Sequence, residues 1–392
     1  MSRGFKIGQL FGIDIRIDWS WLIIFLLVTW NLGLGFGQLH PNWTVATRWG
    51  LGAVAALLFF GSVLAHELAH SLVSKARGTP VSSITLHLFG GVSNIQSEPN
   101  SPSSEFVMAI LGPATSLVIG GVLLWGTLLF SGVQSVAGEP AEALSQMGPI
   151  FTILLWLGTV NITVGLFNLV PGFPLDGGRI LRSILWAITD NLRKATQWAS
   201  WAGQAVAWSM IFAGIAMAFG VQIPLLGGGV GSGVWLALIG WFLQNASQQS
   251  YRRVVMEDVL QGIPVSRMMR ENPPTVPPGC NVSDLVHTHI MGSDDQSFPV
   301  VENGEQIIGL VALEDVRNTP RDEWETTTVR DIMTPSEELV CVTPETDASE
   351  ALSKLMQRDV RQLPVLSNRK LTGLLRRRDI VKWLQLETDI EA

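Results

Sequence analysis

Charge is scarce in this 392-residue chain. Only 15% of residues are charged, while 47% are hydrophobic. That balance excludes an ordinary soluble protein along the whole length. Cysteine is scarcer still: Cys280 and Cys341 are the only two. They are too few for a disulfide framework and are expected as reduced thiols in a cytosolic domain. The N-terminus, MSRGFKIGQLFGIDIRIDWSW, has no small-residue cleavage site after its apolar run, so no removable signal peptide is read there.

The charges that exist are unevenly placed. Residues 1–251 hold 10 Lys+Arg and 9 Asp+Glu, whereas residues 252–392 hold 16 and 24. The reading is a membrane domain over 1–251, a linker over 252–263 and a soluble module over 264–392. The acidic second part argues against a nucleic-acid partner. Six apolar stretches approach the length needed to cross a bilayer: 19–37, 48–74, 105–131, 149–170, 198–220 and the Gly-rich 229–247. Positive charge orients them. Arg3, Lys6 and Arg16 precede the first, and Lys75 and Arg77 follow the second. Arg179, Arg182, Arg193 and Lys194 lie between the fourth and fifth, and Arg252 and Arg253 follow the sixth. The opposite loops carry only Arg48, with Glu139 and Glu142. The expectation is a multi-pass protein with both termini in the cytosol.

Residues 82–95 are rich in β-branched and apolar residues with a break at Gly90–Gly91. They predict a strand or hairpin, re-entrant and buried against protein at the membrane edge. The soluble part repeats itself at a spacing of 64 residues. Val265–Met269 matches Val329–Met333, and Gly309 and Asp315 match Gly373 and Asp379. Each unit reads as helix, strand–turn–strand and helix, with a hairpin turn at Asn303–Gly304. Two such units make one α+β module with a pseudo-twofold axis.

His66 and His70, in HELAH, are four residues apart. A helix puts both imidazoles on one face. The HExxH spacing suits two neutral imidazoles gripping Zn²⁺, with Glu67 taking a proton from the metal's water. An unpaired Glu inside a span costs about 2.5 kcal/mol or more, and a metal site supplies a partner. A catalytic zinc needs a third protein ligand. Asp176, in NLVPGFPLDGG, is the candidate. Pro171 and Pro174 break the fourth helix, and Gly177–Gly178 are expected to provide a tight turn toward the metal. The alternative for Asp176 is a helix cap. Asn161 and Asn168 are seven apart and share a helical face. Interhelical hydrogen bonding is one role for them. For Asn168 the other is binding the oxyanion of a tetrahedral intermediate.

Together these residues resemble the site-2 protease family of intramembrane zinc metalloproteases, peptidase family M50. HELAH matches its HExxH. NLVPGFPLDGG matches its N-x-x-P-x-x-P-L-D-G. GPATS at 112–116 matches its central Gly-Pro motif, with Ser116 where Asn is frequent. The resemblance covers nearly the whole chain and lacks a PDZ-like insertion. It implies one zinc on His66, His70 and Asp176, with Glu67 as base. The 64-residue repeat resembles a pair of cystathionine-β-synthase (CBS) domains, at 264–320 and 327–386. Such pairs often bind ATP or AMP. The resemblance makes Asp315 and Asp379 ribose contacts. Ala312 and Arg376 stand where a phosphate-binding hydroxyl is usual, and Arg376 could attract phosphate. A structural pair that mediates homodimerisation is the other reading.

The expected fold class is therefore a polytopic α-helical membrane protein, with about six transmembrane helices and a re-entrant β segment, followed by a cytosolic α+β CBS-pair module. The expected activity is endoproteolysis of single-pass membrane proteins within the bilayer. The expected location is a bacterial-type cell membrane, or a thylakoid or organelle-type one. His66 lies nine residues before Lys75, about 13 Å along a helix, so water must reach it by a polar path from the cytosol. A substrate helix must unwind before attack, and residues 82–95 could hold the unwound strand. The rival from another class is a CBS-gated transporter or channel using the midspan Glu and His residues as an ion path.

Overall fold

The structure is a computed structural model. It describes residues 4–88, 90–95, 99, 101–130, 144, 146–224, 227–293, 295–302, 306–358, 360–368 and 370–390. The expected turn at Asn303–Gly304 and the loop with Glu139 and Glu142 lie outside the described residues. The chain divides into two compact units, Met1–Arg252 and Arg253–Ala392.

The first unit opens with a hairpin, β1 (Gly4–Leu10) and β2 (Ile13–Asp18), turned at Phe11 and Gly12, both with positive φ. Ile13, Ile15 and Ile17 alternate with Asp14, Arg16 and Asp18, the period of a strand with one buried face. Asp18 then caps helix α1 (Trp19–Leu39), its carboxylate accepting from the Ser20 N–H at 2.9 Å. Thr44 caps α2 (Val45–Ala76) in the same way through the Thr47 N–H.

Next come β3 (Val81–His87) and β4 (Gly90–Ile95). The expected hairpin over 82–95 is present, but it is not a lone segment. The sheet order is β1-β2-β3-β4, with β2 and β3 parallel. Its buried face, Ile13, Ile15, Val81 and Ile84, packs on Leu64 and Leu68 of α2. The sheet therefore rests on the helix turns that carry HELAH. Lys75 at the end of α2 donates to the Phe11 carbonyl at 2.8 Å and ties down the tip of the first hairpin.

Among the described residues four further helices follow: α3 (Pro102–Phe130), α4 (Pro149–Asn168), α5 (Asp176–Thr189) and α6 (Leu192–Ala218). The last helix beginning in this unit is α7 (Val230–Leu260). Among the described residues, five helices are long and apolar enough to cross a membrane: α1, α2, α3, α4 and α6. Helix α7 contains the expected sixth stretch, but Gln244 and Asn245 interrupt its apolar run. It packs closely on α6. A Cβ on Gly214 would lie 2.5 Å from the Gly233 carbonyl oxygen, and Ser200 and Ser247 exchange hydroxyl-to-carbonyl hydrogen bonds at 2.9 Å. Small residues with hydroxyl cross-links are the usual contact between helices in lipid. Trp19, Ile23, Leu26 and Trp30 of α1 are more than half exposed, as residues facing acyl chains would be.

In the second unit the two repeats exchange short strands. The first repeat supplies β5 (Arg270–Glu271), β6 (Ser297–Glu302) and β7 (Gln306–Ala312), then helix α8 (Leu313–Asn318). The second supplies β8 (Thr334–Pro335), helix α9 (Ala348–Gln357), β9 (Gln362–Ser367), β10 (Lys370–Arg376) and helix α10 (Arg377–Ile390). Strand β5 pairs with β10 at Glu271↔Gly373, and β8 pairs with β7 at Pro335↔Gly309. The repeated glycines make this possible. A Cβ at Gly309 would meet Met333 Sδ at 2.5 Å, and one at Gly373 would meet Met269 Sδ at 2.7 Å. The matched Met and Gly positions are thus the two halves of a reciprocal crossing.

Candidate metal centre

The HELAH residues lie within α2, whose apolar run Gly61–Leu64 continues unbroken into His66. One turn apart, His66 and His70 are both buried and face the same way. Asp176 is the first residue of α5. Helix α4 ends at Asn168, just before the Pro171 and Pro174 segment, as the prolines predict. Gly177 and Gly178 act differently from expectation. Neither has a positive φ, and both belong to the first turn of α5. What they provide is room. A Cβ on Gly177 would lie 2.3 Å from the Val170 carbonyl oxygen, and one on Gly178 2.3 Å from the Phe173 nitrogen. The helix start is thereby seated directly on the loop that precedes it.

The three side chains converge. Asp176 Oδ2 lies 3.0 Å from His66 Nε2 and 3.2 Å from His70 Nε2, and the two Nε2 atoms are 3.3 Å apart. Among the described residues this is the one group of three His, Cys, Asp or Glu side chains close enough to share a metal ion. Zinc bonds of roughly 2.0–2.1 Å in tetrahedral geometry put neighbouring ligand atoms about 3.3 Å apart. The observed edges match that face of a tetrahedron. The other ring nitrogens are occupied. His70 Nδ1 donates to the Met108 carbonyl at 2.6 Å, which leaves the Nε2 lone pair free to face a cation. His66 Nδ1 pairs with Ser116 Oγ at 2.9 Å. Such partners fix tautomer and ring orientation. The donor set and its spacing fit zinc.

Helix α3 forms the floor. A Cβ on Gly112 would sit 2.1 Å from His70 Nε2 and 2.7 Å from His66 Nε2. Glu67 faces the opposite wall, β4. Ser93 donates to Glu67 Oε2 at 2.9 Å, and Ser71 donates to Ser93 at 3.0 Å. A Cβ on Gly91 would fall 2.4 Å from Glu67 Cγ. Asn168 and Asn161 both donate to carbonyls of their own helix, Val164 at 3.0 Å and Leu157 at 2.8 Å. Sequence reasoning missed Met108, Gly112, Ser93 and the pairing of Ser116. Only the Gly-Pro motif around 112–116 signalled any of them.

A model described as Peptidase family M50 matches residues 54–212, which contain HELAH and Asp176. A Synechocystis sp. protein named "Putative zinc metalloprotease sll0528" is 35% identical over 387 residues, covering 98% of this chain and 96% of that one. The chain belongs to peptidase family M50. A Mycobacterium tuberculosis protein with the same designation, Rip3, is 34% identical over 358 residues, covering 91% of this chain and 86% of that one. "Zinc metalloprotease MJ0392" of Methanocaldococcus jannaschii is 29% identical over 386 residues, covering 98% and 97%. A CBS domain model matches residues 265–321 and again 329–386. This M50 chain is thus a metalloprotease with several membrane-length helices and a C-terminal CBS pair. The transporter or channel alternative finds no support in that kinship.

The expected nucleotide contacts are each engaged within the protein. Asp315 accepts from the Ala312 N–H at 2.8 Å, and burial pushes its carboxyl up. Asp379 takes two hydrogen bonds from the Arg376 guanidinium, both 2.7 Å, and one from its backbone N–H at 3.2 Å. Arg376 also reaches Asp295 at 2.7 Å, and Arg270 and Arg378 bond the same carboxylate at 2.5 and 3.0 Å. Burial would raise the Asp295 carboxyl, but hydrogen bonds from Arg376 and Arg270 hold it below the usual carboxylate range. Asp295 and Arg270 come from the first repeat, Arg376 and Arg378 from the second.

Two outcomes are expected. Gly112→Ala drives a methyl into both Nε2 atoms and should leave purified protein with less than a tenth of the parent's zinc, measured by elemental analysis. Asp295 has a folded pKa below its unfolded value near 3.9. Its stabilisation is therefore full above that value and fades as pH falls through the folded pKa. Asp295→Asn should cost about 1–2 kcal/mol at pH 6, and the gap to parent should close below about pH 4, read by thermal melting of the CBS unit.

Proposed function

We propose that this M50 protease hydrolyses peptide bonds within or near the membrane segments of single-pass proteins. Water is the nucleophile, and Glu67 is the general base. The observation that carries the reading is the triangle of His66, His70 and Asp176 donor atoms, with Glu67 one residue from His66. When bound there, zinc supplies a Lewis acid that makes water acidic near neutral pH and polarises a carbonyl. His66 and His70 offer neutral Nε2 donors, held by Ser116 and Met108. Asp176 contributes the one negative ligand.

Glu67 takes the proton from the attacking water and returns it to the leaving amide nitrogen. The Ser93 hydroxyl holds one oxygen of its carboxylate, and the other accepts no hydrogen bond from the described residues and receives that proton. Asn168 Nδ2 has two N–H donors and spends one on Val164. The second is available for a developing oxyanion. Strand β4 is the edge of its sheet and lies against Glu67 through Gly91 and Ser93. An unwound substrate segment adding to this edge would exchange its lost helical hydrogen bonds for ladder bonds beside the base.

Helix α7 serves as the sixth crossing in this reading, supported by its small-residue contact with α6, and both termini face the cytosol. The CBS pair is a cytosolic sensor of ATP or AMP. Phosphate would have to draw Arg376 away from Asp379 and Asp295. The same module could also join two copies of the chain.

Glu67→Gln should keep its zinc and lose cleavage of a co-expressed single-pass substrate by more than about 10³-fold. Unchanged cleavage in an immunoblot of that substrate would defeat the assignment. Calorimetry of the full chain with ATP or AMP should give saturable binding below millimolar concentration, weakened by Asp379→Ala. An absence of heat at that concentration leaves the CBS pair a structural element.

A further inference from the structure

Helices α3 and α5 meet along two matched stripes. On α3 these are Glu105, Met108, Gly112 and Ser116, spaced three, four and four residues apart, one face of a helix. On α5 they are Asp176, Arg179 and Arg182, each three apart. At one end Asp176 meets the two imidazoles that rest on Gly112. At the other, Arg182 Nε donates to Glu105 Oε1 at 2.7 Å, with Arg182 Nη2 on the same oxygen. Between them Arg179 lies against both residues, 3.8 Å from Glu105 Oε1 and 3.3 Å from Met108 Sδ. Glu105 is 0% exposed and Arg182 5%. The Arg182 guanidinium also sits over the Phe173 ring, 5.4 Å from its centroid, in the loop just before Asp176.

We infer that the Glu105–Arg182 ion pair is a positioning device for the metal centre. It fixes the rotation of α5 about its own axis so that the Asp176 carboxylate faces His66 and His70. Six residues separate Arg182 from Asp176, about 9 Å of helix. That span is short and rigid enough to transmit a rotation without bending. A slip of α5 by one residue would turn Asp176 by about 100°, away from both Nε2 atoms. The slip is opposed because parting would strip the fully buried Glu105 carboxylate of its hydrogen bonds from Arg182. Glu105 also shares its helix with Met108, whose carbonyl holds His70. The same pair therefore sets the third ligand relative to the partner of the second. The inference rests on the reading of Asp176 as a zinc ligand.

The test measures zinc affinity of the detergent-solubilised full chain by chelator competition, beside thermal melting. Glu105→Gln should bind zinc at least tenfold more weakly than the parent. Because removing one charge of a buried pair can unfold a protein, the double variant Glu105→Met/Arg182→Met is read as well. It replaces the pair with apolar bulk, which buried ion pairs often tolerate. It should melt near the parent temperature yet still bind zinc at least tenfold more weakly. Ser200→Val, which loosens the α6–α7 contact, should lower the melting temperature and leave zinc affinity within twofold. Zinc affinity within twofold of the parent in both Glu105 variants overturns the inference. Asp176→Asn separates the two readings. Full zinc retention there overturns the ligand assignment and the clamp together. Loss of zinc there, with parent-like Glu105 variants, overturns the clamp alone.

Discussion

Two imidazole nitrogens 3.3 Å apart, sharing one carboxylate oxygen, constrain every element around them. Lone pairs pointed at one another repel unless a cation stands between them or a proton bridges them. The fold therefore has to hold three donors in an arrangement that none of them favours alone. It does so from behind. Both Nδ1 atoms are satisfied by α3, which approaches closely because residue 112 has no side chain. The carboxylate arrives on a helix start seated against its own preceding loop by two more glycines. Absent side chains, as much as present ones, build the centre.

The second constraint falls on Glu67, the proposed base. Glu67 cannot point at the same spot as its helical neighbours, since one residue of advance rotates it by about 100°. It turns toward β4, and Ser93 receives it. The sheet thus has two duties at one place: it holds Glu67 through Ser93 and, among the described residues, presents β4 as its edge strand there. Its buried isoleucines accordingly pack on Leu64 and Leu68, one helical turn apart on either side of His66 and Glu67.

What was legible in the sequence follows the range of the physics. HELAH is a local code, since four residues of helix fix its geometry, and Pro171 and Pro174 ahead of Asp176 mark the helix break. Both were readable, and the structure brings His66, His70 and Asp176 together. Met108 and Gly112 act through a backbone carbonyl and an empty Cβ position, so side-chain chemistry gave no hint of them. Gly177 and Gly178 were misread as a turn because glycine signals both conformational freedom and lack of bulk, and only neighbours in space decide which is used. In the sequence Arg182 reads as an orienting charge between two spans, whereas it is buried against Glu105. The first hairpin went unread although Ile13, Ile15 and Ile17 alternate plainly, because a flank of a membrane span invites only a charge count. In the CBS unit the repeat was legible, but the strand exchange at Gly309 and Gly373 was not, since it joins residues from opposite repeats.

The parallel pairing of β2 with β3 has a consequence for how the chain is made. Residues 19–80, which include α1 and α2, lie between these two strands. Strand β2 leaves the ribosome first and has no parallel partner until residue 87 has followed it. Both helices must therefore be delivered to the bilayer as an antiparallel pair before the sheet can close. Until then β2 offers a bare edge. The wall beside Glu67 thus closes after α2 and before Met108, Ser116 and Asp176 arrive on later helices, so the cluster of three donors is the last part to assemble during synthesis.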